Sequence, residues 1–280
     1  EMTLIISAIG RKGGITKTST ATNLAAACAR AGLFTVFIET DGQGNASSTM
    51  GVEKSDGFYD LIVGNARWED LLVQVPGTFT GVKNSQLYML PAHDRTSEFE
   101  MEDDTSDRMA LRIQQLRGWA DVVVIDTSPG LTNVHLACYL TSDYVYLPTL
   151  CEADSVESLR SAFKYIDQTR GIAGEKPIAQ VLGILPNRFI VKQKDARENY
   201  GMIRGIGYMK SCPVFNPVFD GVAWHEARTD KLSIFAHAQR PASSWLSHNR
   251  SAAREAVKWF TPFTDQVIAL AQKMQMAASA

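Results

Sequence analysis

Three short stretches carry the residue types from which phosphate chemistry is built. The first is GRKGGITKTST, Gly10 to Thr20. It departs from the ordinary G-x-x-x-x-G-K-[ST] phosphate loop at Arg11 and Thr16, yet it keeps what such a loop needs. Gly13 and Gly14 let backbone N–H groups approach phosphate oxygens, Lys17 supplies positive charge, and the Thr18 hydroxyl can ligate Mg²⁺. Ile15, Thr16 and Ser19 complete the cradle. The second stretch is ETDGQGNASS, Glu39 to Ser48, in which Asp41 and Gln43 follow an apolar run. A carboxylate there can orient and partly deprotonate an attacking water. The third is DVVVIDTSPG, Asp121 to Gly130, where four apolar residues lead into Asp126. A carboxylate so placed holds Mg²⁺ opposite the phosphate-loop threonine, and Thr127 to Gly130 form a loop able to sense a γ-phosphate. Taken singly, each stretch also reads as a strand-terminating turn.

The elements around these stretches must bring them together. Thr3 to Ile9 is an apolar run ending at glycine, and a long alanine-rich helix follows from Thr18 to Ala31. Leu33 to Glu39 reads as the next strand. Further strands are expected at Leu87–Leu90, Val122–Ile125, Tyr144–Leu147, Val181–Leu185 and Val214–Phe219. Helical patterns lie at Asp107–Leu116, Val134–Leu140, Ser155–Arg170, Lys194–Ile203 and Ser244–Trp259. Continuous apolar strands alternating with helices imply an α/β fold, a mostly parallel twisted sheet covered by helices on both faces. Ligands of such sheets bind at the carboxyl ends of the strands, where all three stretches would lie. No linker divides the 280 residues, so one domain over 1–280 is expected.

Composition narrows the function. The chain is 45% apolar and 21% charged with a net charge of −2, ordinary for a soluble protein. Cys28, Cys138, Cys151 and Cys212 form no C-x-x-C pair, which argues against a zinc knuckle, a dithiol site or a disulfide framework. No signal peptide and no membrane span is readable, and a cytoplasmic protein is expected. Charge is uneven along the chain: His93 to Asp107 is acidic, whereas Arg188, Lys192, Lys194, Arg197, Arg204 and Lys210 face only Asp195 and Glu198. Arg228 to Lys258 is again basic. Such asymmetry allows a local polyanion-binding face, although each cation alone reads as solvated surface.

In order and spacing, K-G-G-I-T-K-T, then D-G-Q-G-N-A-S, then V-V-V-I-D-T-S-P resemble the ParA/MinD family of deviant Walker ATPases, which have the P-loop NTPase architecture. H-E-A at His225 to Ala227 looks like the family's C-terminal E-A element. Within the family the chain most resembles short ParA-type partition ATPases without an N-terminal helix-turn-helix domain. The resemblance implies ATP and Mg²⁺ as cofactors and roles by position. Lys12 matches the signature lysine that reaches the partner's phosphates across a nucleotide-sandwich homodimer. Lys17 matches the in-cis lysine, Thr18 and Asp126 the Mg²⁺ site, and Asp41 the carboxylate near the hydrolytic water and metal. Asn187 sits where relatives read the adenine edge; Arg188, Pro217 and Phe219 would flank the base. Lys192, Lys194, Arg197, Arg204, Lys210, Arg228 and Lys231 become candidates for contacting nonspecific DNA. A ParB-like or cargo-adaptor protein is the implied stimulating partner, and the nucleoid the implied location.

The chain also departs from the family pattern, with Thr16 for the usual Gly, Glu39 for Asp and Gly42 for Pro. Thr16 adds bulk and restricts φ near the γ-phosphate, so slowed hydrolysis or weakened dimerisation is expected. An ATP switch with little hydrolysis is one alternative. A MinD-like membrane role is another, but Phe263 to Ala280 carries only Lys273 as a basic residue, and docking on its own domain or a partner is expected instead. A cluster-binding relative would need paired cysteines. The five histidines, and Trp245 and Trp259, read as structural.

Overall fold

The computed structural model describes residues 3–98, 102, 104–130, 132–173, 177–218, 221–240 and 247–279. Among them are seven strands: β1 (Leu4–Ala8), β2 (Thr35–Glu39), β3 (Val73–Gln74), β4 (Leu87–Leu90), β5 (Val122–Asp126), β6 (Tyr144–Leu150) and β7 (Gln180–Asn187). They form one sheet in the order β3-β4-β2-β5-β1-β6-β7, parallel throughout except for the short edge strand β3. β5 lies between β2 and β1, pairing Asp126 with Glu39 on one side and with Ala8 on the other. The strand ends that open the three motif loops are therefore immediate neighbours.

Strand residues alternate between two buried layers, as the period of two in a pleated strand requires. Ile5, Val36, Ile38, Val123 and Ile125 enter one core with Phe58, Met109, Ile113, Val134, Leu159 and Ile203 from the helices on that face. Leu4, Ile6, Phe37, Val122 and Val124 enter the other, which is covered by the Lys17–Arg30 helix and by Phe260, Phe263, Val267 and Ala271 of the final helix. That helix runs unbroken from Ser247 to Ser279 with Pro262 inside it, and its apolar stripe packs on the sheet. The tail thus docks on its own fold. The small helices Val222–Thr229 and Ile234–Ala238 build a third cluster against the same long helix.

Six expected strands recur, Leu87–Leu90 with its ends as read and five with shifted ends. Five expected helices recur with shifted ends, and the described part of the helix read at Ser244–Trp259 is the start of the longer one. Of the strand read at Val214–Phe219, the described residues 214–218 form none. Val214 makes only an isolated bridge to Ile184, with Phe215 N–H donating to Ile184 O (2.9 Å) and Ile184 N–H to Pro213 O (2.8 Å). Pro213 and Pro217 have no N–H to continue the ladder. Phe219 and Trp245 lie outside the described residues.

Candidate nucleotide-binding site

The Lys17–Arg30 helix starts directly behind the glycine-rich loop, so its first unpaired N–H groups and the positive end of its dipole face the loop's concavity. Gly14 has φ 75° and open space around its Cβ position, the left-handed geometry that glycine adopts without penalty. The loop is fastened to the post-β5 segment by Gly130 N–H donating to Arg11 O at 3.0 Å. Thr16, the residue before the helix, has φ 69° and ψ 17°. A β-branched residue is sterically opposed to that region. Its hydroxyl donates to the adjacent Ile15 carbonyl and does not cap the helix.

Lys17 is buried, and its Nζ donates to Gly10 O (3.0 Å) and Lys12 O (3.2 Å). Burial pushes its pKa below the ordinary lysine value, while Asp126 and Asp41 pull it back up. Asp126 is sealed from solvent, and no hydrogen bond of sound geometry reaches either carboxylate oxygen. Burial pushes its carboxyl up to about 7, opposed chiefly by the nearby Thr18 hydroxyl and by Lys17. A sequestered carboxylate without partners is costly unless something positive satisfies it. With the Thr18 hydroxyl beside it, this donor set fits a hard divalent cation such as Mg²⁺.

Asp41 lies two residues past β2, where its Oδ1 accepts from Gln43 N–H at 3.0 Å. The loop that carries it is anchored by Glu39. That buried carboxylate accepts from Ala46 N–H (2.7 Å), Ser47 N–H (3.3 Å), the Ser47 hydroxyl (2.5 Å) and Ala92 N–H (3.4 Å). A Cβ on Gly42 would stand 3.1 Å from His93 O, so the loop runs close against the exit of β4. Thr40 N–H and its hydroxyl both donate to Asp126 O at 3.0 Å, tying the β2 and β5 loops together.

Lys12 points out of the loop to Asp154 (3.7 Å), in the first turn of the Ala153–Ala173 helix, and its side chain is 36% exposed. Asn187 closes β7, buried, with its amide donating to Leu185 O at 2.8 Å. Arg188 has φ 51° and faces Glu152 at 3.9 Å. Phe189 N–H donates to Val218 O (3.1 Å) and Val218 N–H to Pro186 O (2.8 Å), which sets Pro217 beside the Asn187 turn.

Sequence reasoning missed three neighbours of the site: Asp154, the anchoring function of Glu39, and His135. His135 is buried at the start of the Asn133–Thr141 helix, its Nδ1 3.2 Å from Thr132 Oγ1 in a capping box. Burial, and then the charge of Lys17, press its pKa down to about 3. Thr132 followed three residues later by a side chain able to reach back was the available signal.

The cations proposed for DNA divide between two surfaces. Lys194, Arg197 and Arg204 lie on the Lys194–Met209 helix, with Lys192 just before it and Lys210 at its end; Arg228 and Lys231 belong to the separate Val222–Thr229 helix and its exit. Lys194 pairs with Glu198 (3.6 Å) and Lys210 with Asp167 (2.8 Å), and Arg197 donates to Val191 O (2.6 Å). Lys192, Arg204 and Arg228 form no ion pair among the described residues.

A glycine-rich loop between first strand and helix, with carboxylates at two adjacent strand ends, defines a P-loop nucleoside-triphosphatase fold. The family model described as an AAA domain matches residues 3–175. The chromosome partitioning protein ParA of Caulobacter vibrioides is 28% identical over 213 residues, 70% of this chain and 76% of the relative. The chromosome-partitioning ATPase Soj of Thermus thermophilus is 32% identical over 183 residues, 64% and 67% of the two chains. The chain belongs to the ParA/MinD family of ATPases. Two solved structures agree in fold. The septum site-determining protein MinD of Pyrococcus horikoshii, complexed with Mg-ADP, aligns with TM-score 0.72 and 18% identity over 98% of this chain and 99% of its own. An ATP complex of a McdA variant from Cyanothece aligns with TM-score 0.75 and 18% identity over 94% and 97%.

Proposed function

We propose that this chain is a ParA-type partition ATPase. ATP closes a homodimer, the dimer binds DNA without sequence preference, and a ParB-like or cargo-adaptor protein stimulates hydrolysis to ADP and phosphate, releasing it. The observation that carries the reading is Asp126, a buried carboxylate with both oxygens unpaired beside Thr18 and Lys17. Thr18 and Lys17 compensate it only in part, and a magnesium nucleotide would complete the compensation.

In this reading Lys17 exchanges its two carbonyl partners for phosphate oxygens, and the N–H groups of Gly13 to Ser19 cradle them. Thr18 and Asp126 would hold Mg²⁺, with Asp41 as a further candidate ligand, and the ion would neutralise charge on the phosphate oxygens. Asp41 orients the attacking water, held in place by the Glu39 anchor. Lys12, partly exposed at the mouth, leaves Asp154 for the phosphates of the second subunit. Asn187 and Pro217 border the base, with Arg188 stacking on it or turned to DNA.

The test is DNA binding by the full chain with ATP, ADP and no nucleotide. Binding is expected with ATP alone, falling roughly a hundredfold between about 50 and 200 mM salt if about four phosphates are contacted. Equal binding without nucleotide would sink the reading. A second reading, an ATP switch that hydrolyses little, is favoured by the positive φ of Thr16 beside the γ-phosphate position. Single-turnover hydrolysis with and without DNA separates the two. A MinD-like membrane role has less support, because Phe263, Val267 and Ala271 of the tail pack on the sheet and no described helix is long and apolar enough to cross a membrane.

A further inference from the structure

At the opposite end of the sheet, where β2, β4 and β5 begin, an open cavity of about 430 Å³ is lined by Phe34, Glu69, Leu72, Gln86, Tyr88 and Trp119. That is the size of a small-ligand site. Its walls are aromatic and mutually inclined. The Tyr88 ring lies 5.6 Å from that of Phe34 at an interplanar angle of 87°, and the Trp119 ring lies 5.4 Å from it at 88°. Trp119 remains 43% exposed.

The face of an aromatic ring is electron-rich and attracts cations, and indole does so most strongly. The chain's own stacked cations are on other rings: Arg30 on Phe235, Arg95 on Tyr59, Lys210 on Phe163 and Lys258 on Trp259. No cation of the described residues stacks on Phe34, Tyr88 or Trp119. A carboxylate, Glu69, stands at the rim. Arg67, the neighbouring cation, makes its close contacts with Asp70 (2.9 and 3.0 Å) and feels Glu69 only through space, and Glu69 has no ion pair among the described residues. An aromatic corner with an unpaired negative charge on its edge is complementary to a group that is apolar in bulk and positive in charge.

We propose that this cavity binds an organic cation, an alkylated ammonium or a guanidinium, seated against Trp119 and Tyr88 with Glu69 as its counter-charge. A free quaternary amine and a lysine or arginine side chain of an incoming protein share that chemistry. The site is remote from the phosphate loop, and the proposal stands independently of the ATPase reading.

Ligand-observed NMR on the full chain, at constant ionic strength, tests it with choline, with choline's uncharged tert-butyl isostere, and with the blocked amides of arginine and lysine. Saturable binding of choline is expected, at least about tenfold tighter than that of the isostere. Glu69→Gln is expected to weaken choline several-fold and leave the isostere unchanged; Trp119→Leu is expected to abolish both. Both positions are exposed at the surface, and circular dichroism melting checks that each variant folds. Blocked amides binding tighter than choline would assign the site to a protein side chain, and the reverse order to a free amine. The proposal is overturned if the isostere binds as tightly as choline, if Glu69→Gln leaves choline unaffected, or if no cation binds saturably.

Discussion

Thr16 is the departure from the expected motif pattern that bears most directly on the phosphate loop, and backbone geometry says what a threonine costs there. A non-glycine residue in the left-handed region is disfavoured by about 1–2 kcal/mol, and Thr16 recovers little through its bond to the adjacent carbonyl. Glycine would relieve that strain while adding about 0.5–1 kcal/mol of chain entropy in the unfolded state. Thr16→Gly is therefore expected to stabilise the fold by up to about 1 kcal/mol and to accelerate single-turnover hydrolysis or strengthen ATP-dependent dimerisation. Thr16→Ala, which keeps the Cβ, should do neither as fully. If Thr16→Gly moves neither rate nor dimerisation, the residue has no bearing on the cycle. Glu39 is the complementary case, a departure that the fold puts to use. Removing its carboxylate strands the N–H groups of Ala46, Ser47 and Ala92 in a buried setting. Glu39→Ala is expected to lose about 2–3 kcal/mol in denaturant unfolding, a cost typical of orphaned buried donors.

At the scale of elements, the Asn133–Thr141 helix is set by a histidine that the fold keeps neutral. Between about pH 6.5 and 3 the unfolded chain binds a proton that folded His135 refuses, so this residue's contribution is intact above about 6.5 and lost as pH falls through that window. Its slope approaches about 1.4 kcal/mol per pH unit. Unfolding at pH 7.5 and 5 should therefore separate the parent from His135→Asn, the variant losing less on acidification; identical losses would contradict the assignment. The final helix makes a different demand. Phe263 is fully buried against Tyr146, with ring centroids 4.8 Å apart, and Phe263→Ala is expected to cost about 3–5 kcal/mol. Thermal unfolding measures it. The parallel strands and the helices between them were legible because apolar runs alternate with 3.6-residue patterns, and because the three motifs sit at run ends. The segment between Gly51 and Ser85 was not: its helices Gly57–Ile62, Trp68–Leu71 and Gly77–Thr80 and the two-residue β3 are too short to show a period. Glu39 and Asp154 were opaque for another reason. Their partners lie far along the chain or beyond a turn, and only the closed sheet brings them near.

Across the whole molecule, the basic segment that reads as one run divides into surfaces of unequal availability. Lys210 is held by Asp167, whereas Arg204 is free of ion pairs among the described residues. If DNA lies on the Lys194–Met209 helix, Arg204→Ala should lower the salt dependence of ATP-bound affinity by about one phosphate contact, and Lys210→Ala by less. An unchanged salt dependence in Arg204→Ala would place DNA elsewhere. The sheet order has a consequence of a different kind, in the order of synthesis. β1 and β2 are not paired with each other; each pairs with β5. Leu4 and Thr35 must both wait for Val122 to be made, a delay of the order of ten seconds at ordinary translation rates. Until then β2 can join only β4, and the glycine-rich loop leaves the ribosome long before the strand that closes the sheet beside it. The centre of the molecule is thus the last part of its first half to become solid, and a nascent chain stalled before Asp121 would expose the apolar faces of β1 and β2.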